Sequence, residues 1–181
     1  MSIIGNSNIG VYSALTAVKP ESGEEPVQIL WNTICSSIFP AAEGYKFSVK
    51  GAVLMDDTVP DIVVFEIKQN GVVDTVRKTG SIGLREHQIM VIECKAPSKD
   101  TPGEWRAATD QSVHYLEHIT NESNKIFAAT AIGSKVQLFR WSRPRLTLLH
   151  PAPFDLFFEA ERAQAEQVLL YIKQNAWNFV S

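Results

Sequence analysis

Gln88-Ile89-Met90-Val91-Ile92-Glu93-Cys94-Lys95 is the stretch on which the fold turns. An unbroken apolar run of this length, bounded by polar residues, reads as a strand buried on both faces, as inside a sheet covered by helices. It ends in Glu93 and Lys95. Alternate residues of a strand share a face, so these two project together and Cys94 projects into the opposite layer. A second run, Ile62 to Ile67, is almost wholly apolar and β-branched, and Pro60-Asp61 stands directly before it. If the two runs pair antiparallel, the start of one meets the end of the other. Asp61 then lands beside Glu93 and Lys95, although 93 − 61 = 32 residues separate them in sequence.

Working upstream, Tyr45 to Met55 places Tyr45, Phe47, Val49 and Val53 on a period near two and predicts another strand. Before it, Val27, Leu30, Trp31, Ile34 and Ile38 recur at helical spacing. Ser22 and Glu25 fit a capping box, Pro26 sits in the first turn, and Pro40 marks the end. The first seventeen or so residues carry no firm element. Between the two apolar strands, Asn70-Gly71 is a two-residue hairpin signal, and Val72 to Val76 can pair back, so residues 68–86 read as an excursion or hairpin arm.

Downstream, Thr101, Pro102 and Glu104 give an N-cap, a proline at N1 and a glutamate at N3. The helix they start shows Trp105, Ala108, Ser112, Tyr115 and Ile119 on one face and runs to about Asn121. Strands at Ile126 to Ile132 and Lys135 to Trp141 follow, separated by Gly133-Ser134. Arg143 to Pro153 reads as a proline-bearing connection. A long helix from Asp155 to about Trp177 closes the chain. The order α-β-β-β-α-β-β-α predicts an α/β fold with a mixed sheet sandwiched by helices. With no internal repeat or linker, residues 1–181 read as one domain, with a core at about 22–141 and a C-terminal helix at about 155–178.

Composition agrees with a globular chain. Of 181 residues, 45% are hydrophobic and 20% charged, which argues against disorder and fibrous classes. Net charge is 17 − 20 = −3, so the surface as a whole is not that of a basic nucleic-acid binder. No apolar run approaches the roughly 18 residues of a membrane span, and the opening residues lack the pattern of a secretory signal. Cys35 and Cys94 are the only cysteines, too few for a disulfide framework, and an intracellular, reducing setting is expected.

Two carboxylates and an ammonium group at one sheet end suit a hard divalent cation. Magnesium takes carboxylates, carbonyl oxygens and water. Asp61 and Glu93 offer the carboxylates, and the main-chain carbonyl of Cys94 a third oxygen. Such an ion acidifies water and neutralises phosphate charge, while Lys95 is placed to position water or stabilise developing negative charge. On the downstream helix, Gln111 and Tyr115 stand four residues apart and share a face. Each signal alone is ordinary: Pro-Asp is common turn chemistry, and Glu-x-Lys at a strand end is usually a solvated pair. Their joint order, with the flanking strands and the capped helix, is what carries weight.

Taken together, Pro60-Asp61, Glu93-Cys94-Lys95 and Gln111 with Tyr115 resemble the PD-(D/E)xK nuclease superfamily, over roughly residues 22–132. The Gln111 and Tyr115 pair looks like the QxxxY helix motif of its RecB-type and lambda-exonuclease-type branch. The resemblance implies a restriction-endonuclease-like αβββαβ core with an extra strand and a C-terminal helix. It implies that Asp61 and Glu93 bind Mg2+ or Mn2+, that Lys95 is the catalytic lysine, and that Gln111 and Tyr115 are auxiliary catalytic residues. Many members carry a further glutamate on the first helix; Glu24 or Glu25 could serve, with Glu25 a candidate auxiliary residue whose simpler reading is as the capping-box partner. The expected activity is metal-dependent hydrolysis of phosphodiester bonds, with DNA the first choice of partner and no membrane. Two alternatives stay open: a non-enzymatic nucleic-acid- or protein-binding module on the same fold, and an RNA endonuclease. A cap-snatching type of RNA endonuclease would want a first-helix histidine, and residues 22–39 hold none. Oligomeric state is open, a homodimer included.

Other candidates are weaker. His114 and His118 share a helical face, but no third zinc ligand is evident, and His118 is also a candidate for the active-site rim. Trp141-Ser142-Arg143-Pro144-Arg145 is a small basic-aromatic cluster that reads more simply as a solvated loop. Lys46, Lys50, Lys68, Arg77 and Lys78 are candidates for phosphate contacts from one side.

Overall fold

The computed structural model describes residues 2–49, 59–69, 83–119 and 121–181. Among these, the elements run α1 (Ile9–Ala17), α2 (Glu25–Ile38), β1 (Tyr45–Val49), β2 (Ile62–Gln69), β3 (Leu84–Lys95), α3 (Pro102–Glu117), β4 (Lys125–Ile132), β5 (Lys135–Ser142), β6 (Arg145–Leu148), β7 (Phe154–Asp155) and α4 (Glu159–Val180). The strands form one open, mixed sheet in the order β1-β2-β3-β4-β5-β6, with β7 also pairing β5. β3 and β4 are parallel and connected through α3; the other pairs are antiparallel. The α/β class with a mixed sheet between helices is therefore observed. No helix among the described residues is long and apolar enough to cross a membrane.

Strand alternation sorts the side chains into two layers. Ile62, Val64, Ile92, Cys94, Ala129 and Leu138 belong to the larger core, with residues of α1, α2 and α4. Val63, Val91, Ala128, Phe139 and Trp141 belong to a smaller core under Leu116 of α3. On α2, Leu30, Ile34 and Ile38 recur at helical spacing and are at most 1% exposed. Each such burial contributes roughly 1.5–3 kcal/mol by transfer from water. One β-bulge interrupts the β2–β3 ladder: Val64 faces Met90, Phe65 faces Gln88, and the extra residue Ile89 joins Met90 in the larger core.

The structure corrects the sequence reading in several places. Residues 9–17 form a helix: Asn8 caps it by accepting from Val11 N at 3.2 Å, and Val11, Ala14 and Leu15 are its buried positions, with Val18 buried just past its end. Ser22 caps no helix. Its hydroxyl accepts from Lys19 N and donates to Ala17 O, closing a turn behind α1, so α2 begins at Glu25 with Glu24 as its N-cap. The ends of the supposed excursion belong to the sheet, since Lys68 pairs with Arg85 and Gln69 with Leu84. The Asn70-Gly71 turn, the Val72 to Val76 strand and the part of the first strand beyond Val49 fall outside the described residues. α3 stops at Glu117, and Asn121 instead donates its amide to Gln88 O and Lys125 O. The supposed connection at 143–153 contains β6, a short edge strand returning along β5 from Ser142 and Arg145. Phe154 and Asp155 pair with β5 as β7, which delays α4 to Glu159.

Candidate active site at the shared end of β2 and β3

Antiparallel pairing of β2 with β3 is what positions the site. Ile62 faces Ile92, so the next step along the ladder sets Asp61 opposite Glu93. Asp61 is 4% exposed and Glu93 3% exposed. Asp61 Oδ2 accepts from the main-chain N–H of Cys94 at 2.7 Å, and its Oδ1 from Gln28 Nε2 at 3.2 Å. Lys95 Nζ donates to Glu93 Oε1 at 2.5 Å. Asp61, Glu93 and Lys95 thus converge as the sequence anticipated.

The Cys94 backbone adds an oxygen on the same side. In an extended strand the N–H and C=O of one residue project toward the same neighbour. Cys94 N–H points to Asp61, whereas Lys95 O points the other way and accepts from Gly133 N at 3.1 Å. The Cys94 carbonyl is thereby turned toward the Asp61 side, just past the end of β2. Its thiol lies in the larger core, where burial, then the Asp61 and Glu93 carboxylates, push its pKa well up. Gly133 holds this end in shape: its φ is +60°, and an added Cβ would stand 3.0 Å from Pro97 Cα.

Electrostatics set this cluster apart from a simple ion pair. An isolated pair lowers the acid and raises the base. Here burial and then the Asp61 carboxylate push the Glu93 carboxyl up to about 7, against the opposing pull of Lys95. The Lys95 ammonium is also raised: burial opposes its charge, but the Glu93 hydrogen bond and the surrounding carboxylates prevail. Carboxylates outnumber the cation. The second Glu93 oxygen, Oε2, is buried with no hydrogen-bond partner among the described residues. Thr130, which pairs with Glu93 across the β3–β4 ladder, likewise leaves its buried Oγ1 without one. Native structures rarely leave such atoms unmatched.

The sequence offered Glu24 or Glu25 near the start of α2, and the two differ in placement. Glu25 is exposed, while Glu24 at the start of α2 is the residue whose charge acts on Glu93, Cys94 and Lys95. Gln28 was missed altogether; its Nε2 donates to both Glu24 Oε1, at 2.8 Å, and Asp61 Oδ1. The signal was the i, i+4 spacing of Glu24 and Gln28 on one face of α2.

On α3, Gln111 Nε2 donates to the Tyr115 hydroxyl at 2.7 Å. Thr101 caps the helix as expected, accepting from Glu104 N. Asp100 anchors this end by accepting from Trp105 Nε1 at 2.8 Å and Lys135 Nζ at 2.6 Å. Tyr115 then lines a cleft of about 540 Å³ that reaches Pro60, next to Asp61.

The remaining candidates disperse. Among the described residues no group of three or more His, Cys, Asp and Glu side chains is arranged to hold an ion. His114 and His118 lie side by side, ring centroids 5.0 Å apart, on the rim of that same cleft. Trp141 is buried in the smaller core, so the basic-aromatic cluster around it offers no ring to a ligand. Lys46 lies over Phe65 on the α3 side of the sheet and pairs with Glu86, whereas Lys68 pairs with Glu66 and covers Trp177 of α4 on the other side. These two lysines therefore do not act from one side, and Lys50, Arg77 and Lys78 fall outside the described residues. Set against known proteins, the chain matches no family model, no curated protein and no solved structure.

Proposed function

We propose that this protein is a metal-dependent nuclease that hydrolyses phosphodiester bonds, with DNA as its substrate. The observation that carries the reading is the buried Glu93 carboxylate, with one oxygen unmatched, opposite Asp61 and bonded to Lys95. The run α2-β1-β2-β3-α3-β4 supports it, being the order of a restriction-endonuclease-like core, with β5, β6, β7 and α4 as additions.

The donor set fits magnesium or manganese. Magnesium is usually held by one or two carboxylates plus water and substrate phosphate rather than by an all-protein cage. Asp61, Glu93 and the Cys94 carbonyl would hold the ion, and Glu24 adds negative charge to the same region. When bound, the ion supplies a more acidic water and a counter-charge for phosphate. The protein's own part is to set the water and the phosphate in line. The Lys95 ammonium, held by Glu93, would act on the charge that develops on the phosphate or the attacking water. Gln28 fixes the Asp61 carboxylate, and Tyr115 with Gln111 borders the approach.

The test is cleavage of labelled single-stranded DNA, duplex DNA and RNA with Mg2+ or Mn2+, alongside calorimetric titration of the ion. Metal-dependent hydrolysis that disappears in Lys95→Ala supports the reading. Full activity in Lys95→Ala, or neither cleavage nor ion binding, overturns it and leaves the non-enzymatic module.

A further inference from the structure

The cleft that begins at Pro60 has a composition unlike that of a backbone-binding groove. Its floor is the α3-facing side of β2 and β3, at Val63, Phe65 and Val91, and its roof is the C-terminal end of α3 and the residues just after it, at His114, His118 and Ile119. No lysine or arginine lines it among the described residues. A groove that tracks phosphates is positively charged. This one is bounded by rings and aliphatic side chains, with Ser48 and Gln88 as hydrogen-bonding groups. At about 540 Å³ it lies within the roughly 300–1,000 Å³ range of sites that engulf a small flat ligand. It opens beside Asp61, where a scissile phosphate would sit.

We propose that the cleft receives one unpaired nucleobase of the strand being cut, so that the substrate is single-stranded at the site. The inference rests on the nuclease reading above and narrows its substrate class. A base inside a duplex is stacked and paired and cannot enter without being extruded. An unpaired base can stack against the His118 and His114 rings, both of which are exposed on the cleft rim, while its edge meets Ser48 or Gln88. The Lys46 ammonium, 5.2 Å over the Phe65 ring and paired with Glu86, stands at the border of this floor.

The experiment measures binding by fluorescence anisotropy in Ca2+, with four probes of equal length: single-stranded DNA, single-stranded RNA, blunt duplex DNA and a fully abasic deoxyribose-phosphate chain. Wild type is compared with His114→Ala/His118→Ala, whose two positions are exposed. Stacking of one base is worth roughly a five- to hundredfold change in affinity. The expected result is that at least one single strand binds tenfold or more tighter than both duplex and abasic chain, and that the double variant loses this margin while binding the abasic chain as wild type does. Equal binding of single strand, duplex and abasic chain overturns the proposal, as does a margin that survives the double variant, or no binding at all. Failure is separable from failure of the nuclease reading. Metal-dependent cleavage of duplex without any single-strand margin sinks the cleft alone. A base-dependent margin without cleavage or metal binding sinks the nuclease and keeps the cleft.

Discussion

Glu93 and Glu166 are 3% and 5% exposed, and they titrate in opposite directions. Glu166 projects from α4 onto the N-terminal segment, where it accepts from Ser2 Oγ at 2.5 Å, Ile3 N at 2.9 Å and Ile4 N at 3.0 Å. Burial alone would raise its pKa, but these donors outweigh it and the carboxyl is held below its usual value. Glu93 has one donor, Lys95, one unmatched oxygen and the Asp61 carboxylate opposite, and it rises to about 7. The same fold thus holds one carboxylate whose charge is fully answered and one whose charge is not. The first pattern braces a chain segment. The second, a buried group with a raised pKa and an unmatched oxygen, is the pattern of a functional-site candidate.

The largest effect that separates the two is on activity. Glu93→Gln and Lys95→Ala should each reduce metal-dependent cleavage by about a hundredfold or more, the usual loss when a group acting on transition-state charge is removed. Glu166→Gln, assayed at a temperature where its circular dichroism is native, should leave the rate within about twofold. A comparable loss in Glu166→Gln would erase the distinction between site and brace.

Next comes pH. For Glu93 the folded pKa of about 7 exceeds the ordinary 4.5, so the folded state binds the extra proton between these values. Stability from this group is complete below about pH 4.5 and is lost as pH rises toward 7; integrated over the shift this is on the order of 3 kcal/mol. Glu166 has the opposite sign: its depressed pKa gives stability above its unfolded value that is lost as pH falls. In metal-free buffer, the melting temperature of Glu93→Gln should therefore fall less than that of wild type between pH 4.5 and 7. Parallel curves for the two proteins would show that Glu93 carries no such strain.

Much of the site was legible because it depends on register and alternation, which the sequence states outright. Two apolar runs with Asp61 before one and Glu93 and Lys95 at the end of the other leave few ways to pair, and the observed Ile62–Ile92 pairing is the one that joins them. α1 was also written in the sequence, in the i, i+3, i+4, i+7 spacing of Val11, Ala14, Leu15 and Val18. It was obscured by Gly10 and by the exposed Ile9 and Tyr12, which blur the apolar stripe. β6 was hidden by Arg143-Pro144, which looks like a loop but forms the turn of a hairpin. Glu166 gave no local signal, since its partners lie 162 to 164 residues away. Glu25 read as the capping-box partner of Ser22, but the Ser22 hydroxyl turns back to Lys19 and Ala17 instead of capping α2.

A smaller effect tests the brace itself. Glu166→Ala leaves the N–H groups of Ile3 and Ile4 without their acceptor, and Ile4 is 1% exposed. Stranding buried donors of a charged acceptor should cost about 2 kcal/mol, lowering Tm by roughly 4–8 °C in a chain of this size. Serine-only removal, Ser2→Ala, should cost less, because the two backbone donors keep the carboxylate answered. A Glu166→Ala protein with unchanged Tm by thermal denaturation would mean that the N-terminal segment is held by its apolar contacts alone.

The smallest expected effect, and the sharpest discriminator, is Asp61→Asn in metal-free buffer. Asp61 does three jobs: it accepts the Cys94 N–H at 2.7 Å, it accepts the Gln28 amide at 3.2 Å, and it adds negative charge opposite Glu93. An asparagine keeps a carbonyl oxygen for the Cys94 N–H and discards the charge. The weakened bonds to Cys94 and Gln28 and the relieved repulsion oppose each other, so the net change should be within about 1 kcal/mol. Asp61→Ala also strands the Cys94 N–H and should be the less stable of the two variants. Adding magnesium then separates structure from function. A ligand that binds only the folded protein raises its Tm with concentration, so wild type should show that rise and Asp61→Asn should not. If the asparagine variant melts far below wild type without metal, or gains as much from magnesium as wild type does, Asp61 belongs with Glu166 as a brace and the contrast between the two carboxylates loses its meaning.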